Sequence, residues 1–161
     1  DVFVLDTGRL HRETFALIAA VDRRLDITQI VYRPDAAAVA RHVAEHGAFG
    51  FYESVTLRKS CCQLRKVEPL QRALAGYDAW LTGQRRAHGP ERARLAVEEH
   101  DEVRGIAKFN PLATWSDDDV WYYVDRYSLP YNALHDKGFP SIGCAPCTRA
   151  ATGKCCCAPR P

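Results

Sequence analysis

Cysteine is the residue type with the most chemistry to explain in this chain. Seven occur among 161 residues: an adjacent pair, Cys61 and Cys62; a CxxC, Cys144 and Cys147; and a run, Cys155, Cys156 and Cys157, near the end. An odd count, with no apolar run long enough for a signal peptide or a membrane span, argues against a disulfide framework. It argues for a reducing, cytoplasmic setting in which thiols serve metals or catalysis. Cys61, Cys62, Cys144 and Cys147 supply four thiolates, the number required by a structural zinc and by a cubane iron–sulfur cluster alike. A CxxC lets two thiolates reach one metal centre. Adjacent side chains diverge, so the tandem pair suits corners of a larger cluster better than one small ion. The bland alternative makes Cys61 and Cys62 core thiols, but burial explains neither the pairing nor the CxxC.

Other side chains offer anion chemistry. Thr82-Gly83-Gln84-Arg85-Arg86 carries two guanidinium groups whose planar forks suit sulfate or phosphate oxygens, with a solvated arginine pair as the alternative. Asp6-Thr7-Gly8 follows an apolar strand run, the place where open α/β sheets put ligand loops; it also reads as a simple turn. Lys66 lies close after the tandem cysteines, either lowering a thiol pKa or merely solvated beside Arg65 and Glu68. The formal net charge is only +2, so nucleic acid is not an expected partner and any anion site must be built by local clusters.

These residues must be positioned by an ordinary globular fold, since 47% hydrophobic and 26% charged residues exclude disordered, collagenous and membrane classes. The length fits one domain, residues 1–161, with an atypical tail at 150–161. Val2 to Leu5 reads as a strand. A helix with Leu17, Ile18, Val21 and Leu25 on one face follows, then a strand from Ile27 to Tyr32 and a helix with Ala36, Val39, Ala40 and Val43. The alternation predicts an α/β fold with a parallel sheet and flanking helices. Further on, a helix stops near Val67 and restarts at Pro69. Strands are expected at Tyr77 to Thr82, Leu95 to Val97 and Val103 to Phe109. Ser116 caps a last helix whose first turn holds Asp117, Asp118 and Asp119 and whose apolar side holds Val120, Trp121, Val124 and Tyr127.

Taken in order, Val2-Phe3-Val4-Leu5-Asp6-Thr7-Gly8-Arg9-Leu10-His11, Cys61-Cys62-Gln63-Leu64-Arg65-Lys66-Val67-Glu68-Pro69-Leu70, Trp80-Leu81-Thr82-Gly83-Gln84-Arg85-Arg86, Lys108-Phe109-Asn110-Pro111-Leu112 and Gly143-Cys144-Ala145-Pro146-Cys147-Thr148-Arg149 resemble the assimilatory adenylyl-sulfate (APS) reductases of the PAPS/APS reductase family. The tandem cysteines mark the cluster-bearing branch; the sibling 3'-phosphoadenylyl-sulfate reductases typically lack both pairs. The resemblance implies an adenine nucleotide α-hydrolase-like (PP-loop) fold and thioredoxin-dependent reduction of adenylyl sulfate to sulfite and AMP. It implies a 4Fe-4S cluster on Cys61, Cys62, Cys144 and Cys147. It also implies substrate contacts from Lys66, from Arg85 or Arg86, and in the loop Asp6, Thr7 and Gly8. The family nucleophile, a cysteine that becomes S-sulfocysteine, would correspond to Cys156, two residues after Lys154.

The same resemblance sets expectations for what these 161 residues do not carry. The family's phosphate-binding loop and first strand would precede Val2, and a longer aromatic and basic tail would follow Arg149. Ala87-His88-Gly89 also departs from the usual acidic residue, Gln and Ser. On this reading the chain alone would give background turnover, and the run Cys155 to Cys157 reads equally as a tail without function. Two other classes stay open: a sulfur-transferring tRNA-modifying enzyme of the same fold, and a zinc-stabilised binding module without catalysis.

Overall fold

The computed structural model describes residues 1–151, so Cys155, Cys156, Cys157 and most of the predicted tail lie outside the described residues. The chain divides into two compact units, one formed by residues 1–70 with the chain from Pro130 onward, the other by Gln71–Leu129.

In the first unit, β1 (Phe3–Leu5) pairs in parallel with β2 (Ile30–Tyr32), joined by α1 (Arg12–Leu25). Leu17, Ile18 and Val21 are half-buried on one face of α1, as their spacing predicts, whereas Leu25 is exposed at the last turn. The helix ends at Asp26 in the left-handed conformation, φ 52°. α2 (Ala36–His46) starts at Asp35, whose carboxylate accepts from the Ala38 N–H. Its half-buried face is Ala38, Val39, His42, Val43 and His46; Val39 and Val43 lie on it as expected, whereas Ala36 and Ala40 are exposed. Two histidines, stacked edge to face at 4.9 Å, took places that an apolar count passes over.

The largest local departure lies after the tandem cysteines. α3 (Val55–Cys62) does not stop and restart; it widens into a π-helical turn, Gln63–Val67, and continues as α4 (Glu68–Ala73). The Glu68 N–H bonds to the Gln63 carbonyl, five residues back. Pro69, almost fully buried, supplies no N–H, and its ring crowds the carbonyl four residues earlier. A π turn just upstream gives that carbonyl room. Arg65 and Lys66 ride on this widened turn.

In the second unit, β5 (Ile106–Phe109) is central, parallel to β3 (Ala79–Leu81) and antiparallel to β4 (Glu98–Asp101). The α/β class and the parallel pairing agree with the sequence pattern. The strand expected at Leu95 to Val97 lies a few residues later, because β4 is a polar edge strand (Glu-Glu-His-Asp) and Leu95 is a buried residue in the approach to it. Gly105, φ +69°, closes the β4–β5 turn. Glu99 accepts from Lys108 and from the fully buried Asn110, which holds the ladder's polar face together. α5 (Asp117–Arg126) begins at Ser116 with a reciprocal capping box to Asp119. Tyr127, expected on its apolar side, is exposed beyond the helix end.

Candidate functional site

Within the first unit, side chains from four separate stretches meet. Cys61, Cys62, Arg65 and Lys66 from the α3–π segment, Cys144, Pro146 and Cys147 from a short 3-10 turn, and Arg9 and Phe51 line one half-open cavity. It encloses about 270 Å³, part of it open to solvent. The four cysteines that the sequence singles out therefore share one cavity, and all four are free thiols.

The loop after β1 ties the two cysteine pairs together. Asp6 is buried, its carboxylate accepting from the Gly8 N–H and from Arg33 Nε at 2.9 Å each. Thr7, 1% exposed, shares a hydrogen bond of 3.1 Å between its Oγ1 and the Sγ of Cys144. Its carbonyl accepts from Arg65 Nη1 at 2.7 Å. The Arg9 carbonyl accepts from the Ala145 N–H, and Leu10 bridges Cys144 in antiparallel fashion. In the loop Asp6, Thr7 and Gly8, expected to meet substrate, Thr7 also touches Cys144 of the CxxC turn. On the far side, the Arg9 guanidinium stands 4.8 Å from the Phe51 ring centre and donates to the Ala48 carbonyl, and the Tyr52 hydroxyl donates to the Pro146 carbonyl.

Electrostatics in the cavity run two ways. Burial pushes the Cys147 thiol above its ordinary range, and the neighbouring sulfurs of Cys144, Cys62 and Cys61 push the same way, with Arg58 opposing. Cys147 lines the cavity although the residue as a whole is exposed. Against these thiols stand three cations, Arg9, Arg65 and Lys66. Arg65 Nε and Arg9 Nη1 are buried without a hydrogen-bond partner, an arrangement that costs free energy unless an anionic group sits nearby.

The donor set can be tested against the two metal types it suggested. Among the described residues, no three Cys, His, Asp or Glu side chains converge on a point suited to one ion. Four free cysteines line the cavity with Arg9, Arg65 and Lys66, a donor number that serves a cubane cluster and a four-thiolate zinc site alike.

Arg85 and Arg86 belong to the second unit, Lys66 to the first. Arg85 is engaged: its Nη2 pairs with Asp117 at 2.6 Å and its Nη1 donates to the Trp115 carbonyl. Arg86 Nε donates to the Leu95 carbonyl. His88, whose Nδ1 accepts from the Arg85 N–H, is held below the usual imidazole range by burial first and then by Arg85 and Arg92. Arg9 and Arg65 were not singled out from sequence. The available signal was helical spacing, because Arg65 and Lys66 lie four residues after Cys61 and Cys62 and so share their face.

The phosphoadenosine phosphosulfate reductase domain model matches residues 1–150. A curated adenosine 5'-phosphosulfate reductase from Burkholderia cepacia is 57% identical over 149 residues, which are 92% of this chain and 60% of that protein. One from Allochromatium vinosum is 50% identical over 151 residues, 94% of this chain and 59% of that protein. The crystal structure of the phosphoadenylyl-sulfate (PAPS) reductase from Candida auris, a phosphate complex, matches with a TM-score of 0.74 at 32% identity, covering 90% of this chain and 69% of that one. The chain thus spans about 60% of the length of these two curated relatives. With the family model matched over residues 1–150, the chain belongs to the phosphoadenosine phosphosulfate reductase domain family.

Proposed function

We propose that this chain carries the core of an adenylyl-sulfate reductase, which reduces adenylyl sulfate to sulfite and AMP in cytoplasmic sulfate assimilation with thioredoxin as reductant. One observation carries the reading beyond family membership: Cys61, Cys62, Cys144 and Cys147, from distant stretches of chain, line one cation-faced cavity. The relatives named adenosine 5'-phosphosulfate reductase support adenylyl sulfate as the substrate. No helix among the described residues is long and apolar enough to cross a membrane.

In this reading the four cysteines hold a 4Fe-4S cluster. When bound, it supplies a compact charge beside Lys66 and the substrate site and is not assigned electron transfer. Lys66 in the first unit, and Arg85 and Arg86 in the second, are assigned to substrate by resemblance; a cation at either place would offset negative charge that otherwise repels an incoming thiolate. Asp6, Thr7 and Gly8 shape the loop next to the cysteines. The nucleophile assigned by resemblance, Cys156, attacks the sulfur of the sulfate group; a sulfur–sulfur bond forms, the bond to the phosphate oxygen breaks, and AMP leaves. A thioredoxin thiolate then attacks the cysteine sulfur and expels sulfite. Its second thiol closes the thioredoxin disulfide, which accounts for the two electrons.

Anaerobic purification followed by iron and acid-labile sulfide analysis tests the reading. The expected result is a brown protein with about four of each per chain. A colourless protein holding one zinc would overturn it in favour of a zinc-stabilised module.

A further inference from the structure

We propose that Arg65 is a positioning residue that holds the two cysteine pairs in register. The inference deepens the cluster reading, but it is argued from contacts among this chain's own residues. Arg65 lies on the π turn directly after Cys61 and Cys62, and it is 6% exposed. Its Nη1 crosses to the Thr7 carbonyl at 2.7 Å, and Thr7 Oγ1 meets Cys144 Sγ at 3.1 Å. A single chain of contacts therefore runs from the tandem pair, through one guanidinium and one residue of loop, to the CxxC.

Three features make this more than a chance contact. The guanidinium is delivered by a π turn, an uncommon local geometry that sets which way residue 65 faces. The loop that receives it is shaped to let it approach: Gly8 sits at φ +70°, and a Cβ added there would stand 3.3 Å from Arg65 Nη1. The arginine is also incompletely satisfied, since its Nε is buried without a partner while the residue lines the cysteine cavity. A group serving only the core would cost less as a neutral side chain. One arm fixes the loop while the remaining charge faces the place where four thiolates gather.

Dibromobimane, which fluoresces on bridging two thiols, tests this on metal-free protein, with peptide mapping to separate links within a pair from links that join Cys61 or Cys62 to Cys144 or Cys147. Arg65→Met should lower the joining links about tenfold, the effect of losing one charged hydrogen bond on the loop, and leave links within each pair unchanged. Gly8→Ala should act in the same direction from the other side of the contact, and Arg65→Lys should recover only part of the loss because it lacks the fork. Lys59→Met, an exposed lysine on the same helix, is the control, and circular dichroism confirms that each variant folds. Wild-type levels of joining links in folded Arg65→Met would overturn the proposal. Iron retention measured in parallel separates the two ideas: a wild type without iron whose joining links still depend on Arg65 refutes the cluster and keeps the positioning role. An iron-loaded wild type whose links and iron ignore Arg65 does the reverse.

Discussion

At the scale of single residues, Arg85 presents a choice between two roles with opposite consequences. Its side chain is only 11% exposed, with Nη2 paired to Asp117 at 2.6 Å and Nη1 donating to the Trp115 carbonyl, so in this structure the carboxylate takes one of the two donors that a sulfate or phosphate would use. If Arg85 binds substrate, Arg85→Ala costs roughly 1.5–3 kcal/mol in adenylyl-sulfate binding, and Asp117→Ala, which removes the competitor, does not weaken it. Calorimetry on both variants decides the matter, and equal losses would make the pair structural. Cys147 gives a second prediction. Burial and then its neighbouring sulfurs push its thiol up, so in metal-free protein its alkylation should inflect at a pH above that of an ordinary cysteine. A raised folded-state pKa means that the native state holds the proton more tightly. The stabilisation it contributes is complete below the ordinary thiol pKa and is lost as pH rises through the folded one. Alkylation followed by mass spectrometry across pH checks this, and an inflection at or below the ordinary range would contradict it.

At the scale of elements, the π turn at Gln63–Val67 matters most, because it relates the cysteine end of α3 to the rest of the helix. Deleting one residue from it should close the widened turn to an α-helix, whose hydrogen bonds run to the fourth residue rather than the fifth, and take Arg65 and Lys66 out of their places beside Cys61 and Cys62. Iron per chain should then fall sharply while far-UV circular dichroism stays helical; full iron with the deletion would show that the turn has no such role. Sequence patterns made some elements legible and hid others for identifiable reasons. Ser116 with three aspartates announced α5, because a cap and its first turn are local chemistry, and Ser116→Ala should cost about 1 kcal/mol in urea unfolding. The π turn was not legible: Pro69 signals trouble for a helix, but whether the helix breaks or widens depends on buried surroundings. β4 was missed by a few residues because an edge strand needs no apolar run. Thr7 was noticed for its turn, and its partner Cys144 is remote in sequence, so only folding brings the hydroxyl to the sulfur. The cysteines stood out by type and spacing, whereas Arg65, just as central to the cavity, looked like one more helix arginine.

At the scale of the whole chain, the cysteine pairs lie on either side of the second unit in sequence, since residues 71–129 fall between Cys62 and Cys144. A group bound by all four would close a chain loop containing that entire unit, and the entropy of bringing the loop ends together would be met partly by metal–thiolate bonds. The two units differ in how far they depend on such a closure. In the second, β3, β4 and β5 form one hydrogen-bonded sheet, with the Glu99, Lys108 and Asn110 contacts on it and the Ser116 box starting its helix. In the first, the segment around Cys144 is held by short-range turns and a few bonds to residues 7–10. Ligand binding stabilises most the parts that exist only when bound groups hold them. If the four cysteines hold the proposed cluster, removing it should therefore raise amide exchange chiefly at residues 142–148. The rise should be less at residues 7–10 and 61–67, which the Arg65–Thr7 contact ties together, and β3 and β5 should stay close to their cluster-bound rates. Hydrogen exchange read by mass spectrometry on metal-bound and chelated protein makes the comparison. A uniform rise across both units would mean that the chain unfolds as one cooperative body. No change around Cys144 would mean that contacts within the chain, Thr7 to Cys144, Arg9 to Ala145 and Tyr52 to Pro146, hold the thiols in place without a ligand.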